Sequence, residues 1–198
     1  MQLIHADARL QESYLGALDE LAAEGNGHFL TLELPAGDGF PGTHFDRTAL
    51  ADPATFEEFC AYSRAFELPE TPRPAGWVAS SMLWMVEDDE VVGRISFRHD
   101  LTPSLVEVGG HIGYAVRPSA RGQGHAADAV RQLLPRCAAH GLERVLLTCD
   151  ATNHASRRTI ERCGGVLEDQ RGEKLRFWVS TTGGATRAEA VQGLGSGA

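Results

Sequence analysis

Residues 119–126 read Ser-Ala-Arg-Gly-Gln-Gly-His-Ala, which sets two glycines and an arginine at the mouth of an apolar-periodic segment. Glycine weakens a helix start unless the backbone must take an unusual angle or something must come close. A helix N-terminus has unpaired N–H groups and a partial positive charge, so it holds anions. Gly122 and Gly124 have no side chain to fend off a phosphate, and Arg121 adds a positive charge. The chemistry on offer is the binding of a pyrophosphate; the competing reading is a glycine-rich turn fitted tightly against a sheet. Other phosphate motifs fit poorly. GxxxxGK[ST] is absent, and GxGxxG is not completed because His125, Ala126 and Ala127 follow Gly124. A GxGxxA dinucleotide site stays as a lesser alternative.

The elements that must position this stretch follow from periodicity. Residues 10–25 predict a helix, with Tyr14, Leu15, Leu18 and Leu21 at helical spacing and Gly25 as its stop. Residues 35–48 are rich in turn formers and predict a loop. Asp52 or Thr55 caps a second helix with Phe56, Phe59, Cys60 and Ala61 as its apolar stripe, and three prolines in 67–76 make an irregular connector. Residues 81–100 predict a hairpin turning at Asp88 and Asp89. After a turn at 102–104, residues 109–118 predict a strand that Pro118 stops. The helix behind the glycines then runs to about His140, with Ala126, Val130, Leu133, Leu134 and Cys137 on one face and Pro135 bending its last turn. Residues 143–150 predict a buried strand, 153–163 a helix capped by Asn153, and two strands close the domain. The order predicts an α/β (α+β) sheet of mixed direction, with the strand-helix-strand unit at 111–149 parallel. The small polar tail, 180–198, predicts disorder.

Composition narrows the function classes. The chain has 198 residues, 42% of them hydrophobic, which suits one domain. Residues 1–76 hold 13 acids against 4 arginines, so the whole net charge of −9 sits there. That disfavours general nucleic-acid affinity and leaves room for a cationic substrate, unless the acids only keep the protein soluble. No apolar run is long enough to span a membrane, and the start lacks secretory signal character, so a cytoplasmic protein is expected. Cys60, Cys137, Cys149 and Cys163 show no metal-type spacing and are expected as reduced thiols, with no metal bound.

Arg121-x-x-Gly124-x-Ala126, with the strand His-Ile-Gly-Tyr-Ala-Val before it and Asn153-x-x-Ser156 after the next strand, resembles the GNAT superfamily of acyl-CoA-dependent N-acetyltransferases. The resemblance covers residues 82–179; residues 1–76 match only in offering two helices before the sheet. More narrowly, residues 109–126 with 148–165 are similar to a bacterial subgroup described as predicted acetyltransferases. It implies a mostly antiparallel sheet whose central parallel pair splays apart, with helices on its flanks. It implies one domain over 1–179, residues 1–76 serving the acceptor side and 77–179 binding acetyl-CoA. The pantetheine arm would lie against backbone groups of Tyr114, Ala115 and Val116, as an extended amide chain adds to an open sheet edge. The amides of Gln123, Gly124, His125 and Ala126 would take the diphosphate with Gly122 and Arg121 beside them, and Asn153, with Ser156 one turn on, would bond the arm.

The implied reaction is direct attack by a primary amine on the thioester in a ternary complex. An alkylamine with a pKa of about 10 must first lose a proton. His111 is the first candidate base, being a histidine on the central strand; Glu107 is the second, on the same strand parity if no bulge intervenes; His99 is the third. Each has a purely structural role as its alternative, and His125 is expected to offer its amide rather than its ring. A backbone N–H near Ala115 or Val116 would stabilise the oxyanion. Many GNAT enzymes place a tyrosine proton donor seven residues after the asparagine, and here that residue is Ile160. Ser156 or Tyr114 takes the role instead, or the thiolate leaves unassisted. Arg157 and Arg158 reach phosphates or line a solvated face. The rival function is a non-catalytic acyl-CoA-binding or regulatory module. The partners expected are acetyl-CoA and an amine, a small molecule before a protein, on a monomer or homodimer.

Overall fold

The computed structural model describes residues 1–37 and 39–182. Seven strands form one sheet in the order β1 (Gln2–His5), β4 (Ser80–Glu87), β5 (Glu90–Arg98), β6 (Ile112–Val116), β7 (Arg144–Asp150), β9 (Lys174–Ser180), β8 (Val166–Arg171). Every neighbouring pair is antiparallel except β6 and β7. A separate two-stranded ribbon pairs β2 (Leu32–Leu34) with β3 (Thr43–Phe45). The helices are α1 (Gln11–Ala23), α2 (Pro53–Ala65), α3 (Pro103–Glu107), α4 (His125–Ala139) and α5 (His154–Arg162). This is the mixed, mostly antiparallel α/β architecture expected, with its parallel pair at the centre.

Local chemistry accounts for much of this. Asp88 and Asp89, at φ 50° and 62°, give the β4–β5 hairpin the two left-handed residues that a tight turn matching strand twist requires. Asp52 accepts the Thr55 N–H at 2.8 Å ahead of Pro53, so α2 has both a side-chain cap and a proline where no helical donor is lost. The two sheet faces bury separate cores. Val130, Leu133, Leu134 and Cys137 of α4 and Ile160 of α5 pack on Leu83, Ile95, Phe97, Leu147 and Phe177. On the other face α1 and α2 bring Tyr14, Phe56 and Phe59 onto Trp84, with the Tyr14 and Trp84 rings stacked at 4.4 Å.

Several expectations need correction. The short strand β1 and the β2–β3 ribbon carry too few residues to show a period. Ala61 is exposed and Ser63 takes the buried position on α2, one turn beyond Cys60. The turn at 102–104 opens a helix, α3, capped by the Thr102 hydroxyl and started by Pro103. Pro135 stands on the exposed side of α4, which runs through it without ending. At the end of the sheet, Ser180 still belongs to β9, and Thr181 is buried with its N–H donated to the Glu143 carbonyl at 3.0 Å. The packed chain thus extends past the expected boundary, while 183–198 of the expected tail lie outside the described residues.

Candidate active site

β6 and β7 share a single register pair, Ile112 with Leu147, and separate beyond it. On its other side β6 stays paired to β5: the Arg98 N–H donates to the His111 carbonyl at 2.7 Å and the Arg117 N–H to the Val92 carbonyl at 2.9 Å. Antiparallel pairs alternate between bonded and non-bonded. Main-chain groups of Gly113 and Ala115 therefore turn toward β5, and those of Tyr114 and Val116 turn into the gap. This corrects the place expected for Ala115, whose N–H and C=O are taken up by Arg94. The Val116 carbonyl also accepts from Arg121 Nε at 3.1 Å.

The gap widens into a cleft of about 490 Å³. Tyr114, Ala115, Val116, Arg121, Gly122, Gly124, His125, Ala126, Asn153 and Ser156 all line it; Gln123 does not. Gly122 and Gly124 have φ of 80° and 91°, and a Cβ on either would meet no atom within 4 Å. The glycines thus serve the backbone angle and leave the space before α4 open. No side chain caps α4, so its first N–H groups are unpartnered by the protein at the cleft. Across the cleft, Asn153 caps α5 by accepting the Ser156 N–H at 3.0 Å.

The loop between β6 and α4 is clasped by α1. Glu20 accepts from Arg117 Nε at 2.8 Å and also from its Nη2, and from the Ser119 N–H and hydroxyl, each at 2.9 Å. Burial opposes ionisation of Glu20, yet the hydrogen bonds from Arg117 and Ser119 prevail and lower its pKa to about 2. Glu24 holds Arg121 through two bonds of 3.0 and 2.7 Å. The positive charge expected from Arg121 is therefore compensated within the protein. Arg158 and Arg162 of α5 line the cleft with no ion-pair partner among the described residues, while Arg157 is bonded to Glu161 at 2.8 Å. Arg162 escaped the sequence reading; its signal is the i,i+4 spacing from Arg158 on the helix that Asn153 caps.

The candidate proton-transfer residues fall into two groups. Tyr114 and Ser156 come together, with Oη to Oγ at 2.9 Å and Oη also reaching the Ser156 carbonyl at 3.3 Å. Burial pushes the Tyr114 phenol up to about 12, so it remains a proton donor throughout the neutral range. The three candidate bases lie outside the cleft lining. His111 is 5% exposed, and its Nδ1 accepts the Leu146 N–H at 2.9 Å. That bond uses the lone pair a base needs, puts the neutral ring's proton on Nε2, and accompanies a pKa that burial pushes down to about 4. Glu107 is not on a strand: it ends α3, and Gly109 and Gly110, at φ 112° and 61°, break any parity with His111. Its carboxylate bonds Arg171 on β8. His99 Nε2 is 3.0 Å from Ser81 Oγ, and its ring lies 4.2 Å from that of His140. Burial lowers its pKa. His125 lines the cleft, but its Nε2 faces Glu87 at 3.4 Å. Among the described residues no three His, Cys, Asp or Glu side chains are grouped to hold a metal ion, and no helix is long and apolar enough to cross a membrane. The four cysteines are free.

Comparison with known proteins places this geometry. No protein of curated function matches the sequence. Among solved structures, RimJ from Mycobacterium smegmatis, in complex with CoA-disulfide, superposes with a TM-score of 0.58 at 19% identity, covering 90% of this chain and 80% of that one. The microcin self-immunity acetyltransferase MccE, in complex with acetyl-CoA and AMP, gives 0.57 at 14% identity over 90% and 91%. A ribosomal-protein alanine acetyltransferase from Vibrio fischeri gives 0.56 at 13% identity over 91% and 92%. At these identities the likeness is one of fold. The sequence profile of the acetyltransferase (GNAT) domain matches residues 41–166, starting upstream of the resemblance at 82–179 and taking in α2 and the β3 ribbon strand. With that profile spanning well over half its length, the chain belongs to the GNAT acetyltransferase domain family.

Proposed function

We propose that the protein is an acetyl-CoA-dependent N-acetyltransferase that transfers the acetyl group to a primary amine by direct attack in a ternary complex. The observation that carries this reading is the single-pair seam between β6 and β7, with the Tyr114 main chain and the Val116 N–H turned into the gap on one lip and the open N-terminus of α4 at its mouth. The diphosphate binds the amides of Gly124, His125 and Ala126, with Gln123 and Gly122 beside them. Arg158 and Arg162 supply the positive charge that Arg121 does not. The pantetheine arm extends along Tyr114 and Val116, and Asn153 meets it from α5.

The amine nitrogen attacks the acetyl carbonyl, forming the C–N bond as the C–S bond breaks. The Val116 N–H, turned into the gap, is placed to donate to the developing oxyanion. Tyr114, paired to Ser156, gives its proton to the departing thiolate and fills the role left open by Ile160, which is fully buried in the core. None of the three candidate bases lines the cleft, His125 in its lining turns Nε2 to Glu87, and His111 at about 4 is a weak acceptor for an ammonium of about 10. The amine therefore enters as its free base, the ammonium proton having already gone to bulk solvent, and the acidic N–H proton formed on attack passes to water in the open cleft. We assign the chain to the bacterial subgroup noted above, as one cytoplasmic domain with residues 1–76 on the acceptor side.

Purified protein given acetyl-CoA and an amine panel is expected to release CoA thiol. Lys174 is the only lysine and is bonded to Asp150 at 2.5 Å, so self-acetylation adds little background. CoA binding without turnover across a broad panel would instead establish the non-catalytic module.

A further inference from the structure

The arginines packed on the sheet are treated unequally. Arg176 on β9, 2% exposed, has Glu168 and Asp169 each at 2.9 Å. Arg94 and Arg98 on β5 have no carboxylate at all among the described residues. Arg98 Nη1 donates only to the Gly109 and Gly110 carbonyls, both at 3.2 Å. Arg94 Nη1 is buried with no hydrogen-bond partner. Desolvation lowers the pKa of both, and Arg94 lowers that of Arg98 further, so the two cations also repel each other. In a chain with 27 acidic residues this pair is left uncompensated. Burying a charge without a counter-ion is among the more expensive things a fold can do.

Their placement says where the missing anion comes from. Positions 94, 96 and 98 alternate with Ile95 and Phe97, so Arg94, Ser96 and Arg98 form a row on the sheet face that α1 and α2 partly cover, opposite α4 and α5. Beside this row β6 offers Ala115 opposite Arg94, Gly113 opposite Ser96 and His111 opposite Arg98, so small residues flank the first two positions. A Cβ on Gly113 would stand 3.6 and 3.8 Å from the two Arg98 Nη atoms, so that guanidinium lies directly over the strand whose far edge is splayed. Ala115 itself lines the cleft. Neither arginine lines the cleft itself; the row approaches the gap across Gly113 and Ala115, on the face opposite the phosphate-binding helix. The carboxylates at or beside the cleft are already engaged: Glu20 holds Arg117, Glu24 holds Arg121 and Asp150 holds Lys174.

We propose that the acceptor amine carries an oxyanion, a carboxylate or a phosphate, a few bonds from its nitrogen, and that Arg94 and Arg98 receive that anion and so set the specificity of the site. This rests on the acetyl-transfer reading above, but its central test does not need turnover. With CoA present, the protein is titrated calorimetrically with matched pairs: ω-amino acids against their amides, and aminoalkyl phosphates against the corresponding amino alcohols. The anionic member of at least one pair is expected to bind tenfold or more tightly, and which pair does so separates carboxylate from phosphate. Arg98→Gln should abolish that preference. Because Arg94 and Arg98 are packed against the sheet and their variants can misfold, Ser96→Asp supplies a second arm. It places an internal carboxylate between the two cations, is expected to keep or raise the melting temperature, and should also abolish the preference. In turnover, the loss should fall on KM for anionic acceptors. Equal binding of both members of every pair, or a preference that survives Arg98→Gln and Ser96→Asp, would overturn the proposal even if acetyl transfer to some amine is observed.

Discussion

The loop entering α4 and the inner row of β5 handle the same kind of charge in opposite ways. On the loop, Arg117 and Arg121 are each matched to a carboxylate of α1. On β5, two part-buried arginines, one with its Nη1 shut away from solvent, have none among the described residues. The first arrangement spends its ion pairs on shape, fixing where the backbone donors point. The second leaves its charge for something that arrives. An ion pair near a binding site is thus as often scaffolding as recognition, and the unpaired cation is the better guide to a ligand.

The contrast can be broken most sharply at the loop's product, the open helix mouth and the phenol facing it. Tyr114→Phe should lower kcat about a hundredfold while CoA affinity is kept, because one donor to the leaving thiolate is lost; a change of only a few-fold in stopped thiol release would return that role to Ser156 or to water. Gly124→Val is expected to weaken CoA about tenfold or more by calorimetry, since a β-branched residue at φ 91° is strained and its side chain would project into the open space. Arg158→Gln and Arg162→Gln should each weaken CoA by several-fold, with a shallower salt dependence than the wild type.

The pH profile probes the absence of a resident base. Log kcat/KM should climb with pH toward the amine's own value of about 10, with no inflection near 6.5 and no loss from Tyr114, which stays protonated to about 12. An inflection near neutrality that His111→Gln removes would restore the histidine. The smallest effect concerns the clasp. The pKa of Glu20 falls on folding to about 2, so its contribution is present above about 4.5 and lost as pH drops through 2. After discounting for its partial exposure, that contribution is about 1 kcal/mol. Glu20→Gln should flatten the acid limb of the melting curve by about that amount.

What could be read beforehand was local. The Asp88–Asp89 turn, the Asp52 and Asn153 caps and the paired glycines are each settled by neighbours a few residues away. So was the order of elements from 80 to 180, with the exception of α3. What escaped depends on partners far along the chain: Glu24 holding Arg121 and Glu20 holding Arg117 lie 97 residues apart in sequence, and Tyr114 meets Ser156 across 42. Glu107 shows the cost of extending a strand pattern too far. Thr102-Pro103 is a helix start in its own right, and a one-turn helix was enough to move that carboxylate to Arg171. Alternation along β6 likewise chose Tyr114 and Val116 over Ala115, a choice that needs the β5 register.

The lone rung between Ile112 and Leu147 makes the sheet two panels on a shared hem, β1-β4-β5-β6 and β7-β9-β8. A thioester arm lying in the opening would be bonded along the β6 panel and held from α5, which follows the other. Such a ligand does the work of an absent strand. Occupancy would then register far from the cleft, as slower amide exchange in both panels at once, because filling the seam is what makes them a single body.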